Sequence, residues 1–175
     1  MKNKVTILTL LASLILVTAL LLRTDHEGFN KAAVGATAPD LELFDIHRNK
    51  VTLSSLQGSV VLINFWATWC ESCVIEIPSL QTLFNRFSEN SRFRLITIVY
   101  RDNIQSALEY LQQQGHSFPV YANPDGSAAK KYGITGVPET FIIDKHGILR
   151  EKIIGPAQWD TPQAFDFFQS LIDEP

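Results

Sequence analysis

The stretch Phe65–Cys73, FWATWCESC, contains the only two cysteines of the chain, Cys70 and Cys73, with Glu71 and Ser72 between them. Such a pair has three ordinary uses: half of a metal site, a structural staple, or a dithiol that trades electrons. A structural zinc site draws on four ligands, usually two such pairs or one pair with closely spaced histidines. His26, His47, His116 and His146 are scattered, and none forms a spaced couple. A disulfide stabilises mostly by shrinking the unfolded ensemble, so the short loop between Cys70 and Cys73 gains little from closure. Electron exchange remains.

The surroundings support that use. VVLINFW (60–66) is a continuous apolar, β-rich run, as expected of a strand buried on both faces. From Cys73 onward, Ile77, Leu80, Leu83, Phe84 and Phe87 recur at helical spacing, with Pro78 expected to kink the helix. Cys70 therefore stands at a helix start, where unpaired backbone N–H groups and the positive end of the dipole stabilise a thiolate. Cys73 lies one turn in, within reach of the first sulfur but more covered. The arrangement suits an attacking Cys70 and a resolving Cys73 that releases a mixed disulfide. Thr68 and Glu71 also match a capping box.

Outward from the motif, LELFDIHRNKVTLSSL (41–56) reads as a hairpin around Asp45–Lys50. FRLITIVY (93–100) predicts a second buried strand, and NIQSALEYLQQQG (103–115) an amphipathic helix ended by Gly115. A short strand near Pro119–Tyr121 precedes a small helix, 126–132. ETFIID (139–144) and ILREKIIG (148–155) flank the turn Lys145-His146-Gly147 as an antiparallel hairpin. TPQAFDFFQSLI (161–172) closes the domain as a helix, with Thr161 as cap and Pro162 at its first position. This order gives an α/β fold, a central mixed β-sheet with helices on both faces.

FWATWCESC, Glu76 and Pro78 behind it, and GVPETFIID (136–144) together resemble the thioredoxin superfamily. The resemblance is to its membrane-anchored, exported TlpA, ResA and CcmG (DsbE) type thiol-disulfide oxidoreductases, and it spans nearly the whole chain, including the APDLELFD opening. It implies a thioredoxin-like fold with an N-terminal β-hairpin extension and a central αβ insertion at Asn103–Asn123. It further implies that Pro138 is cis and faces the redox pair, an arrangement that usually marks a required turn. Val137 then offers backbone hydrogen bonds to a bound substrate strand, with Trp69 and Glu139 as further substrate-side residues. No cofactor is implied beyond the Cys70–Cys73 dithiol or disulfide.

The resemblance also bears on proton handling and direction. Asn64 stands where many thioredoxins have a buried Asp, and it cannot titrate. Glu76 stands where this branch has its acidic residue and is expected to manage the proton on Cys73; burial beside a thiol raises a carboxyl's pKa. Glu71 opposes thiolate formation on Cys70, and neither Glu71 nor Ser72 is a histidine that would favour it. A less stabilised thiolate makes the disulfide harder to reduce, so Glu71, Ser72 and Asn64 tune the pair toward a reductant of protein disulfides. In related proteins the client is often apocytochrome c, with electrons supplied by a DsbD or CcdA type membrane transporter. Glu139, following the proline, hints at that client.

The chain's beginning is read separately. Lys2 and Lys4 precede an uncharged run, VTILTLLASLILVTALLL (5–22). At a rise of about 1.5 Å per residue it spans about 27 Å, close to a bilayer's hydrocarbon core. The expectation is a retained membrane anchor over 1–22, a linker over 23–38 and the thioredoxin-like domain over 39–175. The positive leading flank places the domain outside the bacterial inner membrane. With a net charge of −3 and no clustered Lys or Arg, nucleic-acid binding is not expected.

Other roles open to such a chain are general periplasmic thiol-disulfide exchange, an oxidase, and a non-catalytic client-binding module. A peroxiredoxin shares the APDLELFD…LSSLQGSVVLINFWAT layout, but it wants Thr or Ser three residues before its reactive cysteine, where Ala67 stands.

Overall fold

The computed structural model describes residues 31–175; the anchor expected over 1–22 and the first part of the linker lie outside the described residues. Among the described residues no helix is long and apolar enough to cross a membrane.

The strands are β1 (Glu42–Phe44), β2 (Lys50–Thr52), β3 (Val60–Trp66), β4 (Phe93–Val99), β5 (Val120–Ala122), β6 (Glu139–Ile143) and β7 (Leu149–Ile154). The α-helices are α1 (Glu71–Phe87), α2 (Ile104–Gln113), α3 (Ser127–Tyr132) and α4 (Pro162–Asp173). One mixed sheet runs in the order β2-β1-β5-β4-β3-β6-β7. Its centre is parallel, β3 with β4 and β4 with β5, while β6 and β7 add on antiparallel. The β1–β2 hairpin joins the far edge through a single pairing, Phe44 with Ala122. These are the expected thioredoxin-like sheet, the hairpin extension, and the αβ insertion carrying α2 and β5.

Alternation along β3 builds two cores, because successive side chains leave opposite faces. Val60, Leu62 and Trp66 join Ile77, Leu80, Leu83 and Phe87 of α1 and Phe168, Leu171 and Ile172 of α4. Val61, Ile63 and Phe65 face the other way, toward Ala128 and Tyr132 of α3 and Leu41 and Leu43 of the hairpin. Asn64 has the parity of the first set, so its amide points under α1, into the region that becomes the site. Helix α1 runs as one helix through Pro78, which is exposed.

One boundary departs from the sequence reading. Residues 31–38, expected as the end of the linker, are hydrogen-bonded to the domain. Gly35 N–H donates to Leu149 O (2.8 Å), Leu149 N–H to Ala36 O (2.9 Å) and Ala38 N–H to Gly147 O (2.9 Å). Helix α1 begins at Glu71 with Cys70 as its cap, so the cysteine pair opens the helix as expected.

Candidate active site

Strand β3 delivers the motif to the sheet's carboxyl edge, where Tyr100 N–H bonds to Trp66 O (2.8 Å) as the last β3–β4 link. The chain then turns, Cys70 N–H to Ala67 O (3.2 Å), and enters α1. Cys70 is itself the N-cap: its backbone is extended and its Sγ accepts the Cys73 N–H at 3.2 Å. The two sulfurs are joined, with S–S 2.07 Å and Cα–Cα 5.2 Å. Cys70 is 6% exposed and Cys73 1%, which leaves Cys70 as the sulfur a partner reaches first. Ser72 Oγ lies 3.5 Å from Cys70 Sγ, and Glu71 is exposed in the first helical turn.

The capping box expected from Thr68 and Glu71 does not form, because the cap lies two residues past Thr68. Thr68 instead gives both its N–H (2.8 Å) and its hydroxyl (2.6 Å) to Asp102 Oδ2. Burial works against ionisation of Asp102, but the donors of Thr68 and Asn103 outweigh it and hold the carboxyl below its usual range. The neighbouring Arg101 carbonyl accepts the Trp69 indole N–H at 3.3 Å, leaving that ring 59% exposed beside Cys70. The β4–α2 loop thus braces the motif, a part that sequence reasoning missed. The hydroxyl a peroxide reaction would ask for is absent too, since Ala67 is buried and Thr68 is committed to Asp102.

The second wall comes from the segment before β6. The Val137–Pro138 bond is cis, Pro138 is buried, and Val137 O lies 3.4 Å from Cys70 Sγ. Gly155 N–H, just after β7, bonds to Pro138 O (2.9 Å). Glu139 comes next and leaves the opposite face of the sheet. It is fully buried, with Oε1 accepting Thr135 N–H (2.8 Å), Gly136 N–H (3.3 Å) and the Thr135 hydroxyl (3.1 Å). Its Oε2 pairs with Lys152 at 3.1 Å. Burial pushes this carboxyl up, yet these donors and Lys152 together hold it below its ordinary value. Expected on the substrate side, Glu139 is placed where it shapes the 135–138 loop from behind.

The third wall lies under α1. Glu76, one turn past Cys73, is 3% exposed. Its Oε1 accepts the Trp159 indole N–H (2.6 Å) and the Ala157 N–H (3.1 Å). Its Oε2 accepts the Asn64 amide (3.3 Å), which also donates to Thr140 Oγ1 (2.9 Å). Burial raises the carboxyl's pKa, and the three donors only partly offset it. A buried carboxyl of raised proton affinity thus stands three residues past Cys73 on the same helix, where it holds a proton more readily than an exposed carboxyl. Trp159 and Ala157 had no sequence signal, since they sit in the irregular connection between β7 and α4.

The site therefore brings together Cys70, Cys73, Glu76, Asn64, Trp69, Ser72, Val137 and Pro138, with Glu71 at its solvent rim. Residues 34–152 match the model of the AhpC/TSA family. Thiol-disulfide oxidoreductase ResA of Bacillus anthracis is 31% identical over 136 residues, 75% of this chain and 78% of its own length. The chain belongs to the AhpC/TSA family, among its ResA/DsbE-type thiol-disulfide oxidoreductases. The thiol:disulfide interchange protein DsbE of Pseudomonas aeruginosa is 31% identical over 156 residues, covering 86% of this chain and 84% of that one. A crystal structure assigned as a DsbE-type interchange protein of Chlorobium tepidum superposes with a TM-score of 0.70 at 26% identity, over 81% of this chain and 99% of that one. The ResA/DsbE relationship agrees with a dithiol at a helix start facing a cis-proline.

Proposed function

We propose that this oxidoreductase is a reductant of protein disulfides, tethered to the outer face of the bacterial cytoplasmic membrane. The observation that carries the direction is the surroundings of Cys70 Sγ. A carbonyl oxygen, that of Val137, lies 3.4 Å away, and an acidic side chain, Glu71, stands in the first helical turn. Both repel a thiolate, and they oppose the Cys73 N–H and the helix dipole that favour it. A thiolate so balanced makes a reducing couple.

In the reaction, the Cys70 thiolate attacks one sulfur of a client disulfide, forming a mixed disulfide and expelling the other client sulfur as thiolate. Cys73 gives its proton to the Glu76 carboxylate, and its thiolate attacks Cys70 Sγ. The Cys70–Cys73 disulfide forms, the second client thiolate leaves, and two electrons have passed to the client. Both client thiolates are then protonated, one proton coming from Glu76 by way of solvent. Trp69, Val137 and Pro138 form the rim on which the client segment lies. An apocytochrome c with paired haem-attachment cysteines is the candidate client, and a DsbD/CcdA-type membrane transporter is the candidate electron source. The apolar run 5–22 supports the tether. No cofactor other than the dithiol takes part in the scheme.

Thiol alkylation of whole cells tests the direction: the pair is expected to be mainly reduced when the membrane donor is intact. A pair that stays oxidised there overturns the reductase reading in favour of an oxidase. The reduction potential is expected nearer about −270 mV than about −120 mV, the span from a thioredoxin-type reductant to a strong oxidant. Cys73→Ser is expected to trap clients on Cys70 as mixed disulfides; full function without trapping would instead mark a binding module. Protease accessibility in intact spheroplasts tests the location.

A further inference from the structure

Every group that meets Glu76 is a donor. From β3 comes the Asn64 amide, backed by Thr140 of β6; from the β7–α4 connection come Ala157 N–H and the Trp159 indole; on its own helix the titratable neighbour is Cys73. Among the described residues, no charged side chain hydrogen-bonds to the Glu76 carboxylate. The two closest donors share one oxygen, Oε1, at 2.6 and 3.1 Å. An indole N–H and a backbone N–H have no lone pair to offer, so neither can accept from a protonated Oε1. Oε2 carries only the longer contact to Asn64, at 3.3 Å.

The Trp159 donor is also held rigidly. Its residue is 4% exposed and its ring packs 6.2 Å from that of Phe168 on α4. The connection is pinned at both ends, by Gly155 N–H on Pro138 O (2.9 Å) and by the Thr161 cap on Ala164 N–H (3.2 Å).

We infer that Trp159 is a positioning residue for proton transfer: with Ala157 it reserves Oε1 of Glu76 for hydrogen bonds and leaves Oε2 as the oxygen that takes up the proton of Cys73. The inference rests on the reading of Glu76 as that proton's acceptor. A donor-only partner favours the ionised carboxylate, so it counteracts the burial that otherwise drives Glu76 toward its neutral form. Trp159 thereby keeps a buried acid usable as a base through its hydrogen bond to Oε1.

The test uses the full-length protein. Trp159→Phe keeps an aromatic ring against Phe168 and removes the donor; Glu76→Gln removes the acceptor. The readout is the pH profile of insulin-disulfide reduction with dithiothreitol as electron source. Loss of one hydrogen bond to a carboxylate is expected to move the acidic limb of W159F upward by about one pH unit. E76Q is expected to lose that limb, and the double variant to follow E76Q. A W159F profile that overlays wild type while E76Q loses its limb overturns the role of Trp159 and leaves that of Glu76 standing. An E76Q profile that keeps the limb overturns both. A second measurement needs no folded W159F protein: the Trp159 indole N–H resonance of the wild type is expected to titrate with Glu76 and to stop titrating in E76Q. An indole resonance indifferent to pH in the wild type refutes the inference.

Discussion

Glu139→Ala is expected to be the most damaging single change outside the hydrophobic cores. It leaves three donors, Thr135 N–H, the Thr135 hydroxyl and Gly136 N–H, without their acceptor. It also leaves Lys152 without its partner, at a site where the carboxylate is 1% exposed and the lysine 26%. Breaking a buried pair from one side costs about 3–5 kcal/mol. The lysine's partial exposure discounts that figure, while the stranded backbone donors add to it. A loss of about 3 kcal/mol is therefore expected in urea unfolding, or roughly 6–12 °C in Tm for a domain of this size. Removing the stranded cation as well is expected to recover part of the loss, so E139A/K152M should be less damaged than the sum of its single variants. The coupling expected is at least about 1 kcal/mol. A loss for E139A below about 1 kcal/mol, or strict additivity with K152M, would refute the account of Glu139 as the residue that builds the 135–138 loop. The same site makes a pH prediction. The folded carboxyl is depressed, so its contribution is present above the ordinary carboxylate pKa and disappears as pH falls through the folded value.

Glu76 is expected to behave in the opposite sense. Its folded pKa is raised, so its contribution is complete below the ordinary carboxylate range and is lost as pH rises through the folded value. E76Q should therefore flatten the stability-versus-pH curve there, which denaturant titrations on the acid side of neutrality would detect. Asp102→Ala removes the acceptor of both Thr68 donors and is expected to cost about 1–2 kcal/mol in urea unfolding, with slower mixed-disulfide formation on Cys70; unchanged values in both would show that the β4–α2 loop does not brace the motif. Leu83→Ala, at a fully buried position of α1, should cost about 3–4 kcal/mol with the redox chemistry of surviving protein intact.

How much of this was legible in the sequence depended on the range of the interaction. Strand β3 was readable because its apolar residues serve both faces and Asn64 is the single polar interruption. The start of α1 at the cysteine pair was readable from the apolar spacing behind it, although its cap is a sulfur, outside the usual Ser, Thr, Asp and Asn signals. The Thr68–Glu71 capping box failed for a long-range reason: Asp102, 34 residues away, takes Thr68. The placement of Glu139 was available in principle, since strand alternation puts it on the face of Phe141 and Ile143, opposite Thr140. Trp159 was not readable at all. It meets Glu76 across 83 residues, from a connection with no hydrophobic period to reveal its inward turn.

The sulfur that caps α1 is also the sulfur that carries the electrons, and this ties the protein's durability to its redox state. Around a thermodynamic cycle, a couple more reducing than that of the unfolded chain requires the disulfide form to be the more stable fold. For a two-electron couple each 30 mV of displacement corresponds to about 1.4 kcal/mol. A strong oxidant shows the reverse, with the dithiol form stabilised. Melting curves of the two forms, recorded without any client or membrane donor, thus report which way the electrons run.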